Sequence, residues 1–144
     1  MDYRRLNDIC YLRIDKGENV IEQILNVCRK EHIPSATFSG IGGCSHAALQ
    51  TFIPEKGEFE THHIDGMLEL VSLMGNIICE DGELIHHAHA AFAYKEGSAH
   101  KMAGGHLKET TVLYTAEIEI RPVNGGVIRK LYDPETKTGF WAFE

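Results

Sequence analysis

The sequence predicts an α+β domain: a mainly antiparallel β-sheet with one principal helix packed on it. Three observations carry this reading. One segment, Val20, Ile21, Ile24, Leu25 and Cys28, repeats its apolar residues at helical spacing. Nearly everything after it is a succession of short β-like runs. Those runs are separated by turn residues rather than by long helices, so consecutive strands fold back on one another instead of crossing over in parallel.

In chain order, Leu12 to Ile14 ends a short apolar segment and Asp15-Lys16-Gly17-Glu18 interrupts it. Asp15 with Glu18 three residues later has the spacing of a capping box, Arg29-Lys30 suits the negative end of the helix dipole, and Pro34 closes the helix. Strands are expected over Ala36–Ile41, Ala47–Ile53, Phe59–Ile64, Leu68–Ile78, Leu84–Tyr94, Thr111–Ile120 and Val127–Tyr132. The breaks between them fall at Gly42-Gly43, Glu55-Lys56-Gly57, Asp81-Gly82, Glu96-Gly97, Gly104-Gly105 and Asn124-Gly125-Gly126.

With 144 residues the chain has the length of one domain, taken as 1–144, and its 43% hydrophobic and 24% charged residues suit a packed core rather than a disordered chain. No apolar run of signal-peptide or membrane-spanning length follows Arg4-Arg5 or occurs later, so a cytoplasmic protein with no membrane partner is expected. Cys10, Cys28, Cys44 and Cys79 form no Cys-x-x-Cys pair and read as reduced, buried thiols. The formal net charge is -7 and the basic residues are scattered in pairs (Arg4-Arg5, Arg29-Lys30, Arg129-Lys130). That argues against tight, unaided binding to a nucleic-acid backbone, which depends on clustered cations.

The strongest chemical signal is histidine. Five of the nine, His86, His87, His89, His100 and His106, fall within 21 residues. On a strand, residues two apart face the same side about 6.5 to 7 Å apart, so His87 and His89 can converge on one ion. His86 must then face the other way, into the core or to the surface. His106 follows Gly104-Gly105, a pair that lets the backbone turn sharply or approach another group closely and so present a third imidazole. Three histidines with one position open is an arrangement zinc uses when water or substrate takes the fourth place. The competing reading is that these histidines hydrogen-bond within a polar core or a subunit interface. His100, in a predicted loop, either is exposed or lines the pocket.

Ser39-Gly40-Ile41-Gly42-Gly43 reads either as a nest of amides for an anion or as a tight turn. Ser39, Gly40, Gly42, Gly105 and His100 are taken as pocket candidates beside the three histidines. His62 and His63 alternate faces, so at most one looks inward, and both are assigned to the surface, while His46 is given no role. Glu69, in Leu68-Glu69-Leu70, carries a charge that is costly to bury unpaired, which places it at the pocket or at a subunit interface.

These residues resemble a known family, the plants-and-prokaryotes conserved (PPC) domain. Ser39-Gly40-Ile41-Gly42 is similar to its Ser-Gly-Ile-Gly segment, and Gly66 to Gly75, reading Gly-Met-Leu-Glu-Leu-Val-Ser-Leu-Met-Gly, is similar to the core that follows. His87-Ala88-His89-Ala90 resembles its His-Leu-His-Ala, and Gly104-Gly105-His106-Leu107 its Gly-Gly-His-Leu. The likeness runs in the same order over about Leu12 to Ile120. It implies an α+β domain that assembles as a homotrimer and, in some prokaryotic members, a metal on the motif histidines. It also departs from the pattern: the segment between His89 and His106 is longer than usual, and the Arg-Gly-Arg-Pro hook with which plant members enter the DNA minor groove is missing.

The expected function is a homotrimeric, metal-binding protein with zinc as the expected divalent metal on His87, His89 and His106. A small-molecule or anionic ligand would take the open position. The alternatives are a DNA-binding or transcription-associated module and a metal-dependent hydrolase or lyase. For an enzyme, Glu69 is the first candidate for a general base and Glu117 the second.

Overall fold

A computed structural model describes residues 1–143. Its elements in chain order are β1 (Asp2–Leu6), β2 (Ile9–Asp15), α1 (Val20–Lys30), β3 (Ser35–Ile53), β4 (Glu58–Glu80), β5 (Glu83–Glu96), β6 (Ala99–Pro122), β7 (Arg129–Asp133) and β8 (Thr138–Ala142). Six strands form one antiparallel sheet in the order β1-β2-β6-β3-β4-β5, and β7 and β8 form a separate two-stranded sheet. The predicted fold class is therefore the observed one. Among the described residues no helix is long and apolar enough to cross a membrane.

The helix forms where its apolar spacing places it, with Val20, Ile21, Ile24, Val27 and Cys28 buried. Its cap differs from the expected one. Asn19 is the N-cap and accepts a hydrogen bond from the Glu22 amide at 3.1 Å. Glu18 does reach back to the Asp15 amide at 2.8 Å, but that bond closes the turn before the helix, where Gly17 sits at φ 85°. The C-terminal end also comes earlier than Pro34: α1 stops at Lys30 and His32 takes a positive φ of 53°.

The inner face of the sheet is read by simple alternation. Cys10, Leu12 and Ile14 on β2, Ala88, Ala90 and Phe92 on β5, and Ile118 and Ile120 on β6 point into one core, against which α1 packs. Cys10, Cys28 and Cys44 are buried and all four thiols are free. Burial pushes the Cys28 thiol up to about 12, so it stays protonated and unreactive.

Two predicted breaks are not turns. Gly42-Gly43 lies inside the continuous strand β3 and Gly104-Gly105 inside β6. The reason is close backbone approach. A Cβ on Gly42 would sit 2.7 Å from the Thr115 carbonyl, one on Gly104 2.9 Å from the Ala90 carbonyl, and one on Gly105 2.8 Å from the Gln50 carbonyl. These glycines let strands touch, and the chain keeps its direction through them with register shifts around Gly42 and Cys44.

The long strands also close on themselves. β3 pairs with β4, β4 with β5, β5 with β6, and β6 with β3. This ring of four needs Gly75, where a side chain would run into the Phe38 ring and the His87 carbonyl. Replacing Gly75 with Ala should cost about 1 to 3 kcal/mol, as overpacking does. Gly126→Ala, at a site with nothing within 4 Å, should be close to neutral in the same chemical denaturation series.

Candidate metal centre

The pleat of β5 decides which histidines face each other. Ala88 and Ala90 are turned into the core at 2% and 6% exposure, so His87 and His89 must lie on the opposite face, where both are exposed. His86 takes the inward-leaning side, half-buried, with its ring hydrogen-bonded to the Leu107 backbone. His106 arrives from β6, where it is the Cα partner of His89 on one side and of Gln50 in β3 on the other. The glycine pair before it lets β6 reach both neighbours at once.

The three imidazoles therefore meet. Ring centroids lie 4.2 Å apart for His89 and His106, 5.1 Å for His87 and His106, and 5.2 Å for His87 and His89. One nitrogen from each ring lies within 4.8 Å of the others. Nitrogens bound to one tetrahedral zinc are about 3.4 Å apart for bonds of about 2.0 to 2.1 Å, so the three rings have to draw closer together to ligate one ion. A neutral, all-nitrogen donor set on one face of a strand pair fits a borderline-soft divalent cation.

The local electrostatics suit ligation. Burial, then the neighbouring His89, Lys130 and His86, push His87 below the ordinary histidine value of 6.5. Burial, then His89 and His87, do the same to His106. Both rings are thus held neutral at pH 7, with lone pairs free for a cation. The Phe59 ring meets His106 edge-on at 5.0 Å and fixes its position from the β4 side.

The remaining candidates separate. Ser39 lines the same hollow as His87 and His89, and its hydroxyl donates to Glu119 at 3.1 Å. Gly105 adjoins His106 in the chain. Gly40 and Gly42 line other hollows, and with Gly43 they lie in the β3 ladder without positive φ. With a continuous extended strand and no positive φ there, neither the nest nor the tight turn forms. His100 is exposed beside the β5–β6 turn opposite Lys95, six residues and roughly 20 Å of strand from His106.

Glu69 is exposed on the outer face of β4, in a hollow shared with Ile41, Met67, Tyr114 and Glu117. Its strand position is five residues, roughly 17 Å, from Met74, the partner of His89. Within one chain neither Glu69 nor Glu117 reaches the histidines. His62 and His63 are exposed, while His46 is bonded to Asp65 at 2.7 Å and stacked on His63.

Sequence reading missed Trp141. It lines the histidine hollow from the β7–β8 hairpin, of which only the first strand was predicted. The signal was present in Asp133-Pro134-Glu135-Thr136, a turn sequence followed by Thr138-Gly139-Phe140-Trp141-Ala142, rich in the aromatic residues that favour strands.

Comparison with known proteins places these motifs in context. A plant- and prokaryote-conserved (PPC) protein from Pyrococcus horikoshii is 31% identical with a TM-score of 0.82, covering 99% of this chain and 94% of its own. The metal-containing protein from Archaeoglobus fulgidus is 26% identical with a TM-score of 0.83, and 99% of each chain is covered. A protein from Ralstonia eutropha JMP134, provisionally called DNA-binding, is 26% identical with a TM-score of 0.87, covering 99% of this chain and 96% of its own. No match to a curated protein reaches significance. The family model of the Plants and Prokaryotes Conserved (PCC) domain matches residues 1–124, and the chain belongs to that family.

Proposed function

We propose that the chain is a cytoplasmic, homotrimeric metal-binding protein that holds a divalent cation, zinc, on His87, His89 and His106 and keeps a fourth position for water or a small ligand. The observation that carries this reading is the convergence of one nitrogen from each of three imidazoles on a common point. The Archaeoglobus fulgidus relative, called metal-containing, supports it. When bound, the cation supplies a Lewis acid and an acidified water. The chain's own contribution is to hold His87 and His106 neutral, to brace His106 against Phe59, and to place the centre beside an open hollow.

Support for an interface between copies, which the homotrimer requires, lies on the outer sheet face. Ile41, Met67, Val71 and Tyr114 are exposed there at 56%, 43%, 48% and 66%, around the hollow that holds Glu69 and Glu117. On this reading Glu69 belongs to the subunit face. It could act as a general base only at a centre supplied by another copy. A DNA-associated role has for support the provisional label of relatives, and the net charge of -7 opposes it.

Untagged protein should carry close to one zinc per chain by elemental analysis, and a His87→Ala/His89→Ala double variant should carry little. Metal-free wild type that cannot be loaded would end the proposal. Acid should remove the metal. Because the folded pKa values of His87 and His106 lie below 6.5, the folded chain binds fewer protons than the unfolded one, and stability contributed by the neutral rings is lost as pH falls through that range. Equilibrium dialysis should therefore show full loading at pH 7 and progressive release under acidic conditions. Sedimentation should give three chains per particle, and Tyr114→Glu should yield smaller species that still bind zinc.

A further inference from the structure

The β7–β8 hairpin lies beyond the 1–124 span matched by the family model, yet it borders the histidine centre. Trp141 lines the hollow of about 520 Å³ that His87 and His89 border, and it also lines a narrower notch with Lys130, Asn76 and His87. Asn76, His87 and Trp141 are common to both, so the notch continues the hollow toward Lys130. The hairpin holds that lysine in place: Lys130 and Trp141 are cross-strand partners, and the Lys130 stem lies over Gly139, where any Cβ would collide with its methylenes.

The wall has two chemistries. One is apolar and flat, with the Trp141 indole facing a hollow that Phe38 and Met74 also line. The other is cationic. Arg121 lines the hollow and spends Nε and one terminal nitrogen on Glu119, leaving the rest of its fork, while Lys130 has no carboxylate partner among the described residues. Lys130 and His87 line the same notch. The hollow's lining contains no carboxylate, in a chain with 21 acidic residues against 14 lysines and arginines. With Arg121 paired to Glu119, Lys130 is the cation that the notch offers without a carboxylate partner among the described residues, and a cation beside an open metal position draws anions.

We propose that the hairpin is the specificity wall of the centre and that the ligand it selects is a small organic carboxylate with a flat apolar body. The carboxylate lies at the cationic side near the metal's open position and the apolar body lies against Trp141. This rests on the reading of His87, His89 and His106 as metal ligands. It adds the class of molecule that the open position receives.

The test uses the zinc-loaded full chain with benzoate, acetate and benzyl alcohol as probes. Trp141 is the single tryptophan, so its emission reports on the wall directly. Benzoate should quench it saturably, acetate should bind about tenfold more weakly for want of the apolar ring, and benzyl alcohol should not saturate. Lys130→Gln should weaken benzoate about tenfold, the scale of one charge-assisted hydrogen bond, while zinc stays at one per chain. Trp141→Leu, followed by calorimetry, should bring benzoate down to the level of acetate. Equal binding of benzoate and benzyl alcohol, or an unchanged benzoate affinity in Lys130→Gln, would overturn the proposal. Zinc content measured on the same samples separates the two failures. A zinc-loaded chain indifferent to benzoate removes the hairpin's role alone, whereas a chain that cannot take zinc removes both.

Discussion

The architecture depends on one backbone arrangement: the double pairing of β6 at His106, which meets His89 of β5 and Gln50 of β3 at the same residue. A strand can satisfy two neighbours at one point only if its backbone comes close to both. Side chains immediately before that point would prevent it. Gly104 and Gly105 remove the obstacle, with Ala90 and Gln50 carbonyls lying where Cβ atoms would stand. The same closure that completes the ring of strands also delivers the third imidazole, so fold and centre share a cause.

From that constraint follows a division of the sheet into faces. The inner face takes the small and branched residues of β5 and β6 and the apolar stripe of α1, and it has no chemistry to offer. The outer face holds two separate regions. Around Glu69 and Glu117 it is acidic and apolar. Around His87, His89 and Arg121 it is imidazole-rich, with no carboxylate in the hollow's lining. About five residues of β4 separate the regions, and in a sheet that distance cannot be closed by rotating side chains.

The centre also shows how burial and function cooperate. Partial burial disfavours the charged form of an imidazole, and neighbouring imidazoles and Lys130 disfavour it further. A cluster of histidines in the open would repel itself when protonated. Here the cost is reduced because His87 and His106 are held toward the neutral form, which is also the form that binds a metal.

Much of this was legible in the sequence. Period-two spacing put His87 and His89 on one face, helical spacing located α1, and the run of strands without intervening helices fixed an antiparallel sheet. Those are local properties, set by the geometry of a single strand or helix. The glycine pairs could be recognised but not resolved, because turn and close approach require the same freedom and only the neighbouring strand distinguishes them. The meeting of His106 with His89, the separation of Glu69 from the histidines, and the arrival of Trp141 at the hollow were decided by the tertiary structure. Each depends on how distant strands pair, and pairing between strands is set by the whole sheet's register rather than by any one segment.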